Sequence, residues 1–289
     1  MSNFSIATNA TYGVMGCSGF WDCSYFATLT VVSAVTLFMF LQAFRTIQNA
    51  KSQVLDRIDF ILFILSLIQA ILVFMMKVAY ESNFWTYTLR TLALVQNIVV
   101  CSICSYNYYN EEDSSKIQKL KLIGIGVSIS LWFFSWIDDR SILLLPVCQR
   151  VNNLLFSTLN LAVSLIVLWI TYKSSKTINQ WVQEEYVKGE GTEIEMKYAE
   201  MQRIKAQLLI LMISMLSSSL LQFIWDFHKW EYGYSKEICY KLYHPEGLSS
   251  FFLLIVHDTV CMLVPPWAIY YIFYWRNRTA FLTGSAGNR

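Results

Sequence analysis

His257 and Asp258 stand side by side inside the long apolar stretch Leu248–Trp275, where ionisable groups are least expected. A carboxylate beside an imidazole can hold an ion, relay a proton or fix the polar head of a ligand. In hydrocarbon such groups are costly, and by default they mark sites of function. At about 1.5 Å per residue from the start of the stretch, the pair lies roughly 15 Å down, near the middle of a bilayer. Adjacent helical positions point about 100° apart, so one of the two is expected to face the interior and the other a neighbouring helix. Asp226, Lys77 and Arg90, at the ends of other apolar stretches, are placed to complete a network with them. Gln96 and Asn97, turned inward, would lie beside the seventh stretch. His257, Asp258, Gln96, Asn97 and Asp226 are therefore the candidate ligand contacts. The alternative is purely structural hydrogen bonding between helices, the role expected mainly of Gln69, Gln96, Asn97, Asn152, Asn153 and Asn160.

Other chemistry is hard to find. There is no HExxH, no GxSxG and no phosphate-binding glycine loop, so no enzyme activity, cofactor or metal is expected. Cys101 and Cys104, three apart on one helix, read as small packing residues. Asp138-Asp139 reads as solvated charge. Pro265-Pro266 removes two backbone donors and should kink its helix below His257–Asp258. Net charge is only +2, which gives no reason to expect a nucleic-acid partner.

The elements that must position these groups are seven apolar runs: Tyr25–Phe44, Phe60–Met76, Thr91–Tyr109, Leu122–Ile137, Leu154–Tyr172, Ala206–Trp225 and Leu248–Trp275. The first is twenty residues without a charge, enough to cross a hydrocarbon core of roughly 30 Å. Backbone groups in lipid must bond within their own segment, so each run is expected to be a helix. Charged residues make up 15% of the chain, below the roughly 25% of a soluble domain. The expected fold is an all-α, polytopic seven-helix bundle in contact with a lipid bilayer. Residues 1–24 form a short outer segment, 25–275 the transmembrane domain and 276–289 a cytosolic tail.

Orientation follows from the basic residues. Fifteen Lys and Arg fall in the first, third and fifth connections and the C-terminal tail, against seven on the opposite side. The richer side is expected in the cytosol, with the N-terminus outside. Residues 1–24 contain no Lys or Arg and carry sequons at Asn3 and Asn9, candidate glycosylation sites. They lack the pattern of a cleavable signal peptide, so the first helix is expected to act as an uncleaved anchor. Cys17, Cys23, Cys148 and Cys239 fall on the outer side and are disulfide candidates with three possible pairings. One such bridge would tie Cys148 or Cys239 to the N-terminal segment.

The cytosolic connection Lys173–Lys205 balances six acidic against six basic residues, so it is no polybasic lipid anchor. Gly189-Glu190-Gly191 breaks it, and Thr192-Glu193-Ile194-Glu195 reads as a capping box opening a helix. Trp181 and Tyr186 before the break, and Ile194, Tyr198 and Met201 after it, are candidate contacts for a cytosolic signalling or scaffold protein. Two solvated helical extensions packed on each other are the plainer alternative.

Seven helices with an outer N-terminus and a long fifth connection resemble the G-protein-coupled receptor architecture. The rhodopsin-type motifs are replaced: Ser105-Tyr106-Asn107-Tyr108-Tyr109 stands where Asp-Arg-Tyr is usual, and Val264-Pro265-Pro266-Trp267-Ala268-Ile269-Tyr270 where Asn-Pro-x-x-Tyr is. The cysteine usual at the outer end of helix three is absent. The seventh helix has no Lys, which excludes a retinal Schiff base there. Leu94-Val95-Gln96-Asn97 through Tyr106-Asn107-Tyr108-Tyr109, with Leu263-Val264-Pro265 through Trp275-Arg276, is similar to the tobamovirus-multiplication protein family of plants and its animal orphan-receptor relatives. That resemblance implies a vacuolar, endolysosomal or other endomembrane protein that scaffolds cytosolic partners without enzyme activity. The functional expectation is a receptor-like protein in the plasma or endolysosomal membrane, sensing an unknown small ligand. The alternatives are a transporter or channel with an intramembrane His/Asp site, and an accessory subunit of a membrane complex.

Overall fold

The computed structural model describes residues 17, 19–49, 57–78, 83–106, 114–141, 148, 151–188, 192–233 and 235–275. Among these the regular elements are helical: α1 (Phe20–Asn49), α2 (Arg57–Val78), α3 (Asn83–Tyr106), α4 (Ser114–Ser141), α5 (Val151–Lys188), α6 (Thr192–Tyr232), α7 (Lys236–Tyr243), α8 (Leu248–Asp258) and α9 (Val264–Phe273). A π-helical segment, Thr259–Leu263, joins α8 to α9. Counting α8, the π segment and α9 as one broken helix, seven helices among the described residues are long and apolar enough to cross a membrane. The protein is an all-α, multi-pass integral membrane protein.

The distribution of side chains is that of a bundle in lipid. Along α1, Val31, Val35 and Phe38 point outward while Ser33 and Thr36 are buried. A soluble helix would reverse this, since apolar faces turn away from water. Helix α4 packs on α3 and exposes Leu120, Ile123, Val127 and Phe134, leaving mainly Ser128 and Ser135 covered. The remaining helices close a ring in which α1 packs on α2, α2 on α3, α3 on α5, α5 on α6, and α6 on the π segment and α9. Helix α9 packs back on α2, and α8 on α1.

The helices overrun the apolar stretches. Helix α5 continues to Lys188 and α6 begins at Thr192, as the capping-box signal at 192–195 requires. The side chains of Trp181, Tyr186, Ile194, Tyr198 and Met201 lie outside the described set, as do Gly189–Gly191, the sequons at Asn3 and Asn9, and the tail from Arg276. Residues 107–109 of the expected third helix also lie outside it. The connection after α6 contains the short helix α7, and α6 itself runs to Tyr232.

The disulfides correct one expectation. Cys17 bonds Cys23 and Cys148 bonds Cys239, so no bridge joins Cys148 or Cys239 to the N-terminal segment. Cys17 and Cys23 are six residues apart across the start of α1, close enough to satisfy each other locally. Cys148 then staples the segment before α5 to α7. Gly233 makes this close approach possible, since a Cβ there would stand 2.3 Å from that of Cys148. We call this the disulfide end of the bundle.

Candidate functional site

Beneath the disulfide end the bundle interior is polar and divided into two ion-paired halves. In the first, Lys77 on α2 is 1% exposed and donates from Nζ to Asp258 Oδ2 on α8 at 2.9 Å and to the Tyr25 hydroxyl on α1 at 3.2 Å. The Tyr25 hydroxyl donates to the same carboxylate oxygen at 2.5 Å. The Lys77 ammonium also lies 5.2 and 5.6 Å from the ring centres of Tyr25 and Phe26, an added cation–π attraction. The other carboxylate oxygen, Oδ1, is 2.8 Å from His257 Nδ1. Because Asp258 accepts at both oxygens, the proton of that bond belongs to Nδ1. Burying a charge pair is tolerable only when the remaining lone pairs are met, and here they are.

The second half joins α3, α5 and α6. Arg90 on α3 grips Asp226 on α6 through both ends of its guanidinium, Nη1 to Oδ2 at 2.5 Å and Nη2 to Oδ1 at 2.8 Å. Such a fork-on-fork arrangement fixes direction as well as distance. Nη1 also donates to the Asn153 carbonyl on α5 at 3.0 Å, and Gln222 Nε2 donates to both Asp226 oxygens. One turn to two turns deeper, Asn97 Nδ2 donates to Asn160 Oδ1 and faces the hydroxyls of Ser164 and Ser219, which are 2.8 Å from each other.

The two halves meet at the break in the seventh helix. A residue's N–H normally bonds the carbonyl four positions back, so Pro265 and Pro266 leave the carbonyls of Cys261 and Met262 without their helical donors. Neighbouring helices supply replacements. Ser218 Oγ on α6 donates to the Cys261 carbonyl at 3.0 Å, and Gln69 Nε2 on α2 donates to the Met262 carbonyl at 2.9 Å. The Val264 N–H reaches back five residues to the Thr259 carbonyl, completing the π turn. Side chains of adjacent helices meeting freed backbone groups is how proline is accommodated in hydrocarbon. The joint is therefore held from one half by α2 and from the other by α6.

Several expectations change at this point. His257 and Asp258 are both buried and bond each other, because Asp258 turns to Lys77 while the imidazole folds back along the helix. Asp226, Lys77 and Arg90 do not form one network with them. Each cation takes its own carboxylate, the helices being set so that α2 faces α8 and α3 faces α6. Gln96 and Asn97 face inward but bond α2 and α5–α6 respectively, not the seventh helix, since α3 packs between α2 and α5. Lys77, Arg90 and Lys229, counted from sequence as loop cations, are within the bundle. Cys101 packs on the core cluster around Val100 and Ile269, and among the described residues no group of His, Cys, Asp and Glu is arranged for a metal.

Two contributors were not visible as such in the sequence. Tyr25 reads as one more aromatic of an apolar run, and Ser218 as one of three consecutive serines. Only the position of Pro265, four residues after a carbonyl that must find a donor, signals the need for a polar side chain nearby. No family model matches the chain, and no curated protein or solved structure shows a significant match to it.

Proposed function

We infer that this protein is receptor-like: a ligand acting at the disulfide end shifts the two halves of the bundle about the break in the seventh helix. The observation that carries this reading is the joint itself, whose freed carbonyls are held by Gln69 from one half and Ser218 from the other, directly below the Lys77–Asp258 pair. A π turn followed by two prolines has few hydrogen bonds of its own to lose when its neighbours move. A ligand that changes either ion pair thereby biases which arrangement of α2 and α6 is stable, as a two-state switch requires.

The disulfide end is the outer or lumenal face in this reading. Once Lys77, Arg90 and Lys229 are recognised as interior groups, the outer loops keep only Arg140, Arg150, Lys236 and Lys241 as basic residues, which strengthens the charge asymmetry. The long ends of α5 and α6 then project into the cytosol as the surface for a signalling or scaffold partner. The resemblance to receptor-like families of the plasma and endolysosomal membranes is in keeping with this.

The test is a distance measurement in lipid nanodiscs between nitroxides at Gln48, at the other end of α1, and Ala206, where the apolar part of α6 begins. Asp258→Asn, which weakens the Lys77 pair, is expected to broaden or shift the distance distribution. An unchanged distribution in a folded variant overturns the reading. A second reading, a proton path, is favoured by the continuous chain of exchangeable groups Tyr25–Asp258–His257. Proton flux in proteoliposomes, abolished by Asp258→Asn, would replace the receptor reading with that one.

A further inference from the structure

The chain between α6 and α8 crosses the disulfide end as a strap, held at three places among the described residues. Gly233 lets it pass Cys148, and the Cys148–Cys239 bond staples α7 to the segment before α5. The Tyr243 ring receives the Lys229 ammonium of α6, 3.6 Å from its centre. His244 then turns to α1. Its Nδ1 stands 2.9 Å from Asp22 Oδ1, and its ring centre 6.3 Å from that of Phe26. The first two fixings hold the strap to the α5–α6 half of the bundle and the third to α1, so it spans the two halves. A disulfide does not titrate, and ordinary ammonium and carboxylate groups change charge outside pH 5 to 8, the range in which imidazole switches. The third fixing is thus the one whose chemistry answers to protons.

We propose that the His244–Asp22 pair is a proton-operated latch, which holds the strap down on α1 when the imidazole is protonated and loosens it when the imidazole is neutral. Both residues are buried, at 6% and 2% exposure. A carboxylate taken out of water needs a counter-charge as well as a hydrogen bond. Neutral imidazole supplies the bond alone, whereas imidazolium supplies both, so the latch weakens as pH rises. The other charged groups around it are matched or set apart. On the strap, Lys241 and Glu246 are exposed and 3.9 Å from each other. On α6, Lys229 lies on the Tyr243 ring and in the field of Asp226, which Arg90 grips. Next to the Phe26 ring, Lys77 of α2 pairs with Asp258 of α8, and His257 bonds the same carboxylate. His228, exposed on α6, packs its ring on Tyr232. With His244 these are the three histidines of the chain, and among the described residues neither of the other two bonds the strap. Asp22 is one helical turn from Tyr25, whose hydroxyl meets Asp258, so the latch fastens the turn of α1 that supports the Lys77–Asp258 pair.

The latch stands on the strap and α1 alone; only its effect on the break in the seventh helix rests on the receptor reading. The experiment is amide hydrogen exchange of the full chain in nanodiscs at about pH 5.5 and about pH 7.5, with times scaled for the intrinsic effect of pH. Amides of residues 236–246 are expected to be about fivefold or more better protected at the lower pH, as adding charge to a buried hydrogen bond implies. His244→Gln keeps a donor without the charge, and Asp22→Asn keeps an acceptor without it. In either variant the strap should be equally protected at both pH values, while His228→Gln should respond as the wild type does. If neither latch variant folds, histidine-labelled wild-type chain followed by NMR decides the matter: His244 must take up its proton over the pH range in which strap protection rises. Equal protection at both pH values in the wild type, a response that survives His244→Gln, or proton uptake outside that range overturns the proposal. A strap that responds while the Gln48–Ala206 distance stays the same at both pH values leaves the latch standing and removes its coupling to the receptor reading.

Discussion

Lys77 and Asp258 are the residues whose removal should be felt most. Each is the other's counter-charge inside the bundle, so truncating one leaves an unpaired charge where water is excluded. Lys77→Met is expected to destabilise the protein by about 3–5 kcal/mol, while the double variant Lys77→Met/Asp258→Leu should recover much of that loss. Thermal unfolding in a fixed lipid or detergent environment measures both, and a double variant as unstable as the sum of its singles contradicts the pairing. The residue scale was half legible in the sequence. An ionisable pair in an apolar run announced itself, and Asp258 is indeed at the centre of the polar interior. Its partner was obscured because Lys77 stands at the end of an apolar run, where a snorkelling loop cation and a buried counter-ion look alike. Tyr25 carried no signal, since only the fold brings its hydroxyl to a carboxylate 233 positions away.

At the scale of elements, the break in the seventh helix explains why two polar side chains of α2 and α6 point where they do. Restoring a backbone donor should make one of them dispensable. Ser218→Ala is expected to cost about 1–3 kcal/mol by leaving the Cys261 carbonyl unmet. In a Pro265→Ala background the same substitution should cost markedly less, because the backbone N–H regained at position 265 can then bond that carbonyl itself. A double-mutant cycle by thermal unfolding measures the difference, and equal costs in the two backgrounds would show that Ser218 does not cap the break. Helix positions were legible from apolar run length, and the α6 start from its capping box. The π turn was not, because the proline pair signals lost donors without saying whether the chain answers by bending or by adding a residue to the turn. Run length alone stops where charge resumes, and only the local signals around Gly189–Gly191 pointed to the longer helices seen in α5 and α6.

For the whole molecule, two constraints set what can move: a disulfide at one end and the pairing of helices around the polar interior. Cys148–Cys239 closes a loop of 91 residues over α5, α6 and α7, and the Cys148→Ser/Cys239→Ser variant is expected to lose about 2–4 kcal/mol of stability in a reducing-agent-free unfolding assay. An unchanged unfolding temperature would mean that the packing of α7 already holds this end. The all-α, seven-helix architecture was fully legible, because lipid leaves so few ways to satisfy a backbone. The pairing of α2 with α8 and of α3 with α6 was not, since helix rotation and neighbour choice depend on packing that no single segment records.

The joint between the halves is tested most directly by amide hydrogen exchange in nanodiscs, comparing the wild-type chain with Asp258→Asn. If the halves are separate units meeting at the break, exchange should quicken in α8 and the π segment while Leu94–Val100 of α3 and Leu208–Ser219 of α6 keep their protection. If instead all seven helices lose protection together, or none does, the bundle is a single cooperative block and the seventh helix is no hinge.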